Sequence, residues 1–121
     1  ADIADISLYL ESDKLLNTAA NITPMARAAI GMVHSSLDAY IRSDLSLADE
    51  TIQDDDVVDN LFLKVRDDVI DFIRKEPDNA EQAIDVMMIA KYLERIGDHA
   101  TNICEWVKLY ITGEHKNTRI F

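Results

Sequence analysis

A single cysteine, Cys104, leaves this 121-residue chain without the means to close an internal disulfide, which suits a reducing, cytoplasmic compartment. Three glycines and two prolines are too few for strands joined by tight turns, and they leave little room for long flexible linkers. No apolar run approaches the roughly 18 residues that a membrane span requires, and the first residues lack the pattern of a signal peptide. Basic residues are also scarce: 12 Lys and Arg stand against 23 Asp and Glu, a formal charge of −11. Phosphate backbones attract clustered Lys and Arg, so direct contact with nucleic acid is not expected. A chain this acidic is better suited to protein partners or to cations. No glycine-rich phosphate loop and no Ser/His/Asp or Cys/His nucleophile arrangement occurs, so no enzymatic activity is expected.

What is present is an apolar content of 48% beside 29% charge, enough for one packed domain or for a repeat unit of a larger one. Four helical segments can be read. The first, over about Ala1 to Leu16, carries Ile3, Ile6, Leu8, Leu10 and Leu15 and opens without a start signal. The second begins at Thr23-Pro24, with Thr23 as the expected N-cap and Pro24 in the first turn. Met25, Ala29, Met32, Ser36 and Tyr40 then recur at three- and four-residue spacing as a broad apolar face. Ser46 is the expected cap of the third helix, which reads Leu47, Ile52, Val58, Leu61, Phe62, Val65, Val69, Phe72 and Ile73 and stops at Glu76-Pro77. Asn79 and Gln82 suggest a capping box for the fourth helix, over about Ala80 to Ile111, with Gly113 beyond its end. Its expected core stripe is Ile89, Leu93, Ile96, Ala100, Ile103, Val107 and Ile111. Long helices with short connections pack as antiparallel neighbours, so the expectation is all-α: an up-down antiparallel three-helix bundle over 19–121, preceded by part of another helix over 1–18.

A faint repeat supports that division. Asp2-Ile3-Ala4-Asp5 matches Asn102-Ile103-Cys104-Glu105 type for type, 100 positions apart, and Leu8-Tyr9-Leu10 echoes Leu109-Tyr110-Ile111. On this reading 1–18 is the tail of an earlier copy of the bundle.

Carboxylates supply the chemistry. Glu94 and Asp98 are four residues apart on one helix face, and Asp55 and Asp59 repeat the arrangement on the preceding helix, with Asp54 and Asp56 beside them. Like charges at that spacing cost about 0.2–0.5 kcal/mol per pair. Asn102 and Glu105 extend the later stripe. A metal ion between the helices would offset the repulsion, since carboxylate oxygens are hard ligands and facing helices are how bundles build such sites. A solvated acidic face, partly neutralised by Arg95, Lys64 and Arg66, is the alternative. Gly97, between Glu94 and Asp98 in the helix middle, costs about 0.5–1 kcal/mol relative to alanine, so a close approach is expected there. A carboxylate-bridged di-iron enzyme would use Glu-x-x-His pairs; the positions three before His34, His99 and His115 hold Gly31, Ile96 and Thr112, against that reading. His99 points about 100° away from Asp98 and is read as structural or at the surface. Cys104 is read as a small core residue, as are the four methionines.

The run Tyr92-Leu-Glu-Arg-Ile-Gly-Asp-His-Ala-Thr-Asn-Ile-Cys-Glu105 resembles the segment that closes each repeat of the PhoU family, and Asp55-Asp-Val-Val-Asp-Asn-Leu-Phe62 is similar to the family's other acidic segment. The resemblance covers about Ile22 to Gly113. It implies a cytoplasmic negative regulator of phosphate uptake and of phosphate-starvation signalling through a two-component system. Its implied partners are the ATPase subunit of the phosphate ABC transporter and a sensor histidine kinase, with a homodimer also compatible and the membrane reached only through partners. It also implies metal, iron or zinc, held by Asp55 with Asp59 and by Glu94 with Asp98, with Asp56, Asn102 and Glu105 as further candidates.

Overall fold

A computed structural model describes residues 20–113. They form three α-helices in sequence, α1 (Ile22–Arg42), α2 (Leu45–Lys75) and α3 (Ala80–Thr112), with a short 3-10 turn, Pro77–Asn79, between the last two. There is no strand among the described residues, and no helix there is long and apolar enough to cross a membrane. The helix expected before residue 17 lies outside the described residues.

Two contacts fix the antiparallel arrangement. Asn21 Nδ2 donates to Asp68 Oδ2 at 2.8 Å, joining the start of α1 to the later part of α2. Lys108 Nζ meets Asp49 Oδ1 at 2.8 Å, joining the end of α3 to the start of α2. Both tie opposite ends of neighbouring helices together, as an up-down bundle requires.

The core follows a strict alternation of three and four residues. On α1 the buried positions are Ile22, Met25, Ala29, Met32, Ser36 and Ala39. On α3 they are Ala83, Val86, Ala90, Leu93, Gly97, Ala100, Cys104 and Val107. On α2 they are Ala48, Thr51, Val58, Val65, Val69 and Phe72, and the two slots skipped by that rhythm are Asp55 and Phe62, both half-buried. A sustained alternation of this kind is the seam of supercoiled helices, one row of side chains seated in the gaps of its neighbours. The hydroxyls of the two fully buried polar residues are satisfied within their own helices: Ser36 Oγ donates to the Val33 carbonyl and Thr51 Oγ1 to that of Leu47, each at 2.8 Å.

Several local expectations give way to specific geometry. Tyr40 is not in the core; it is 64% exposed and Ala39 takes the buried slot. On α3 the seam runs through Ala90, Gly97 and Cys104 rather than through Ile89, Ile96 and Ile103, which flank it half-buried. Small residues at the seam let α3 lie close to its neighbours, and the larger isoleucines then fit at the sides. Of the methionines, Met25 and Met32 are buried, whereas Met88 is exposed. Helix α1 begins at Ile22, so Thr23 lies inside its first turn; Asn21, at the cap position, has spent its side chain on Asp68. Asp44, not Ser46, caps α2, accepting from the Leu47 amide at 3.0 Å. Asn79 makes no capping bond to α3; its amide side chain reaches back to Glu76 at 3.5 Å. Gly113 ends α3 as expected, at φ 73°, its N–H donating to the Leu109 carbonyl at 3.0 Å.

A candidate carboxylate centre between two helices

Asp55 occupies a core slot of α2, and that placement organises the site. Opposite it on α3 is Gly97, buried; a Cβ added there would lie 3.3 Å from Asp55 Oδ1, and 3.6 Å from both Met32 Sδ and Val58 Cγ1. The close approach expected at Gly97 is therefore made by a carboxylate and two core side chains. Missing side-chain volume on α3 is what lets a charged group enter the seam.

That group lacks a partner. Asp55 Oδ1 is buried and accepts no hydrogen bond. Its carboxyl is pushed up to about 6 from the usual 3.8, first by burial and then by the negative charges of Asp59, Asp98, Asp56 and Glu94. Asp59 is also raised, by burial and then by Glu94, Asp98 and Asp56. Four carboxylates from two helices thus feel one another: Asp55 and Asp59 from α2, Glu94 and Asp98 from α3. Glu94 is half-buried and held by Lys91, whose Nζ donates to Glu94 Oε1 at 2.9 Å. The same ammonium sits 5.3 Å from the centre of the Phe62 ring, in the other skipped slot of α2. Hydrogen bonding to Glu94, together with its charge, raises the Lys91 pKa. Asp98 is exposed.

The remaining candidates divide. Asp56 adds to the field at Asp55 and Asp59 but is exposed. Asn102 lines a groove with α1 residues Leu37 and Tyr40, and Glu105 is exposed; neither is among the groups acting on Asp55 or Asp59. His99 lines the same groove, away from the carboxylates. Thr101 escaped the sequence reading: its Oγ1 is buried without a partner, one turn after Gly97. Its only sequence signal is a place inside the motif that also holds Gly97 and Asp98. Cys104 is buried, and burial raises its thiol pKa while a hydrogen bond with Thr51 works the other way.

As a cation centre, this set fits in chemistry and is incomplete in assembly. Hard oxygen donors from facing helices, one of them buried and unpartnered, suit an iron-type ion. Among the described residues, however, no three or more His, Cys, Asp or Glu side chains are gathered closely enough to hold one. Side-chain rotation or donors from outside residues 20–113 would be needed to close a coordination shell.

A family model described as the PhoU domain matches residues 22–107. Among curated relatives, a phosphate-specific transport system accessory protein PhoU homolog of Clostridium acetobutylicum is 33% identical over 113 residues, 93% of this chain and 52% of the relative. Homologs of the same description from Thermotoga maritima and Borreliella burgdorferi are 33% and 32% identical, over 94% and 95% of this chain and 50% and 54% of their own lengths. This chain therefore spans about half the length of the curated relatives it matches. No solved structure gives a significant match. The family match takes in α1, α2 and most of α3, with all four carboxylates of the seam, and the chain belongs to the PhoU domain family.

Proposed function

We propose that this chain is a regulatory module of a phosphate-specific transport system, acting in the cytoplasm as a negative regulator of phosphate uptake and phosphate-starvation signalling. The observation that carries the reading is the family match over residues 22–107, which includes the Glu94-to-Asp98 segment. Regulation proceeds by protein contact, with the transporter's ATPase subunit and a sensor histidine kinase as partners. The chain is not an enzyme on this reading: its polar residues are arranged to bind and to present surface, not to attack a substrate.

Asp55, Asp59, Glu94 and Asp98 would hold a metal ion, iron or zinc. Such an ion supplies positive charge where four carboxylates repel one another and pins α2 to α3. Asp55 offers its buried Oδ1, and Gly97 keeps the space for it. Lys91 orients Glu94 by holding one oxygen. A second reading, a structural bundle with a solvated acidic face, is favoured by the lack of three converging ligands among the described residues.

A pull-down with the full chain tests the regulatory reading. Purified ATPase subunit and the cytoplasmic part of the kinase should be retained, and Glu94→Ala with Asp98→Ala should weaken retention. No retention of either partner would overturn it.

A further inference from the structure

Among the described residues, two buried side-chain oxygens have no hydrogen-bond partner, Asp55 Oδ1 and Thr101 Oγ1. Native structures leave few such atoms, and each calls for an explanation. Hydroxyls elsewhere in the bundle return their proton to a carbonyl three or four residues back. Ser36 does so to Val33, Thr51 to Leu47 and Thr112 to Lys108. Thr101 has the same recourse in the Gly97 carbonyl and leaves it unused. Its oxygen is spent on nothing that the three helices supply.

Position directs both orphans into one volume. At about 3.6 residues per turn, Thr101, Glu94 and Asp98 lie about 40°, 60° and 100° around α3 from Gly97, all to the same side. Leu93 and Ala100 lie to the other side and join the core. Thr101 is therefore on the carboxylate flank of the helix. Across from it, Asp55 Oδ1 is 3.3 Å from where a Cβ of Gly97 would stand. Helical side chains lean toward the N-terminus of their own helix. Since α2 and α3 run in opposite directions, as Asp49 and Lys108 also show, Asp55 leans toward the level of Thr101 and Thr101 leans back over Gly97. The side chain that Gly97 lacks leaves room for both.

We propose that Thr101 adds a hydroxyl donor to the carboxylate centre and makes it selective for a six-coordinate hard cation, such as ferrous iron, over zinc, given that Asp55, Asp59, Glu94 and Asp98 form the cation site of the functional reading. Zinc closes its shell with about four donors and favours imidazole and thiolate. Four carboxylates meet that number without Thr101. Neither nitrogen nor sulfur is at hand: His99 lines the groove beside α1, and Cys104 is buried in a hydrogen bond with Thr51. A larger shell of hard oxygens suits the harder divalent ions. A hydroxyl supplies one more oxygen without charge, where a fifth carboxylate would add to the repulsion already present.

Calorimetry on the metal-stripped full chain tests this, with wild type, Thr101→Val and Thr101→Ser titrated anaerobically with ferrous iron and separately with zinc. Valine keeps the shape and removes the hydroxyl, whereas serine keeps the hydroxyl. Thr101→Val should weaken iron binding about ten-fold and zinc binding by less than about two-fold, and Thr101→Ser should stay within about two-fold of wild type for both. In chelator, Thr101→Val should move the urea midpoint upward, because it removes a buried hydroxyl that nothing satisfies. A hydroxyl with a merely structural role would give a lower midpoint. Unchanged iron affinity, an equal loss for both ions, or a midpoint lowered in chelator would overturn the proposal. Glu94→Gln with Asp98→Asn, titrated in parallel, separates the two readings. Binding abolished in that variant but unchanged in Thr101→Val overturns the role of Thr101 alone. A wild-type chain that binds neither ion overturns the cation site and the role of Thr101 together.

Discussion

Replacing Asp55 with asparagine should stabilise the bundle at neutral pH and leave it nearly unchanged at pH 4. In the folded chain Asp55 Oδ1 is buried without a partner, and the carboxyl is raised to about 6 from 3.8 by burial and by Asp59, Asp98, Asp56 and Glu94. A raised folded value means that the native state holds the proton more tightly than the unfolded chain does. Stability is therefore greatest below the unfolded value and declines as pH rises through about 6, the reverse of a salt-bridged aspartate. A shift of roughly two units corresponds to about 3 kcal/mol of cost to the ionised native state, and solvent reaching the half-buried carboxylate reduces it to about 1–2 kcal/mol. Asparagine keeps the shape and removes the charge. Urea denaturation with chelator present, at pH 7.5 and at pH 4, should give Asp55→Asn a gain of about 1–2 kcal/mol at the higher pH and close to none at the lower. An equal gain at both values, or a loss at pH 7.5, would refute the reasoning, because the effect would then come from packing and not from charge.

Four further substitutions probe the site and the bundle that holds it. Gly97→Ala should be neutral within about 1 kcal/mol in chemical denaturation, since better helix propensity offsets a small shift of Asp55 Oδ1 from 3.3 Å. Gly97→Leu should cost more than about 2 kcal/mol in the same assay, because Met32 and Val58 stand 3.6 Å from the first added carbon. Asp44→Ala removes the bond from the Leu47 amide and should lower stability by about 1 kcal/mol. Met32→Ala, at a site 2% exposed and against Gly97, should cost about 2–5 kcal/mol by thermal or urea melting.

The three helices and their ends near Lys75 and Gly113 were legible because apolar spacing, Pro77 and Gly113 all speak locally. The register of α3 was harder to read. Hydrophobicity weights Ile89, Ile96 and Ile103 above Ala90, Gly97 and Cys104, yet closely spaced helices put the smaller residues at the centre. Caps were missed where a side chain had a better use: Asn21 bonds Asp68, and Asp44 reached Leu47 ahead of Ser46. The four carboxylates were visible as two same-face pairs. What spacing could not reveal is that Asp55 sits in the core rhythm, since an aspartate breaks an apolar pattern instead of announcing its own burial. Nor could it tell that Asn102 leaves the stripe for the α1 groove, because a helix face is wide and its edge is set by the neighbour.

Metal titration of the full chain tests most directly whether the seam between α2 and α3 is a cation centre. Protein stripped of metal should bind ferrous iron or zinc, measured by calorimetry and by elemental analysis after desalting. At ion concentrations about 100-fold above Kd its stability should rise by about 2.7 kcal/mol. Both effects should vanish in Glu94→Gln with Asp98→Asn. A chain that retains no metal and melts identically with and without either ion would contradict the claim and leave the four carboxylates as a solvated face.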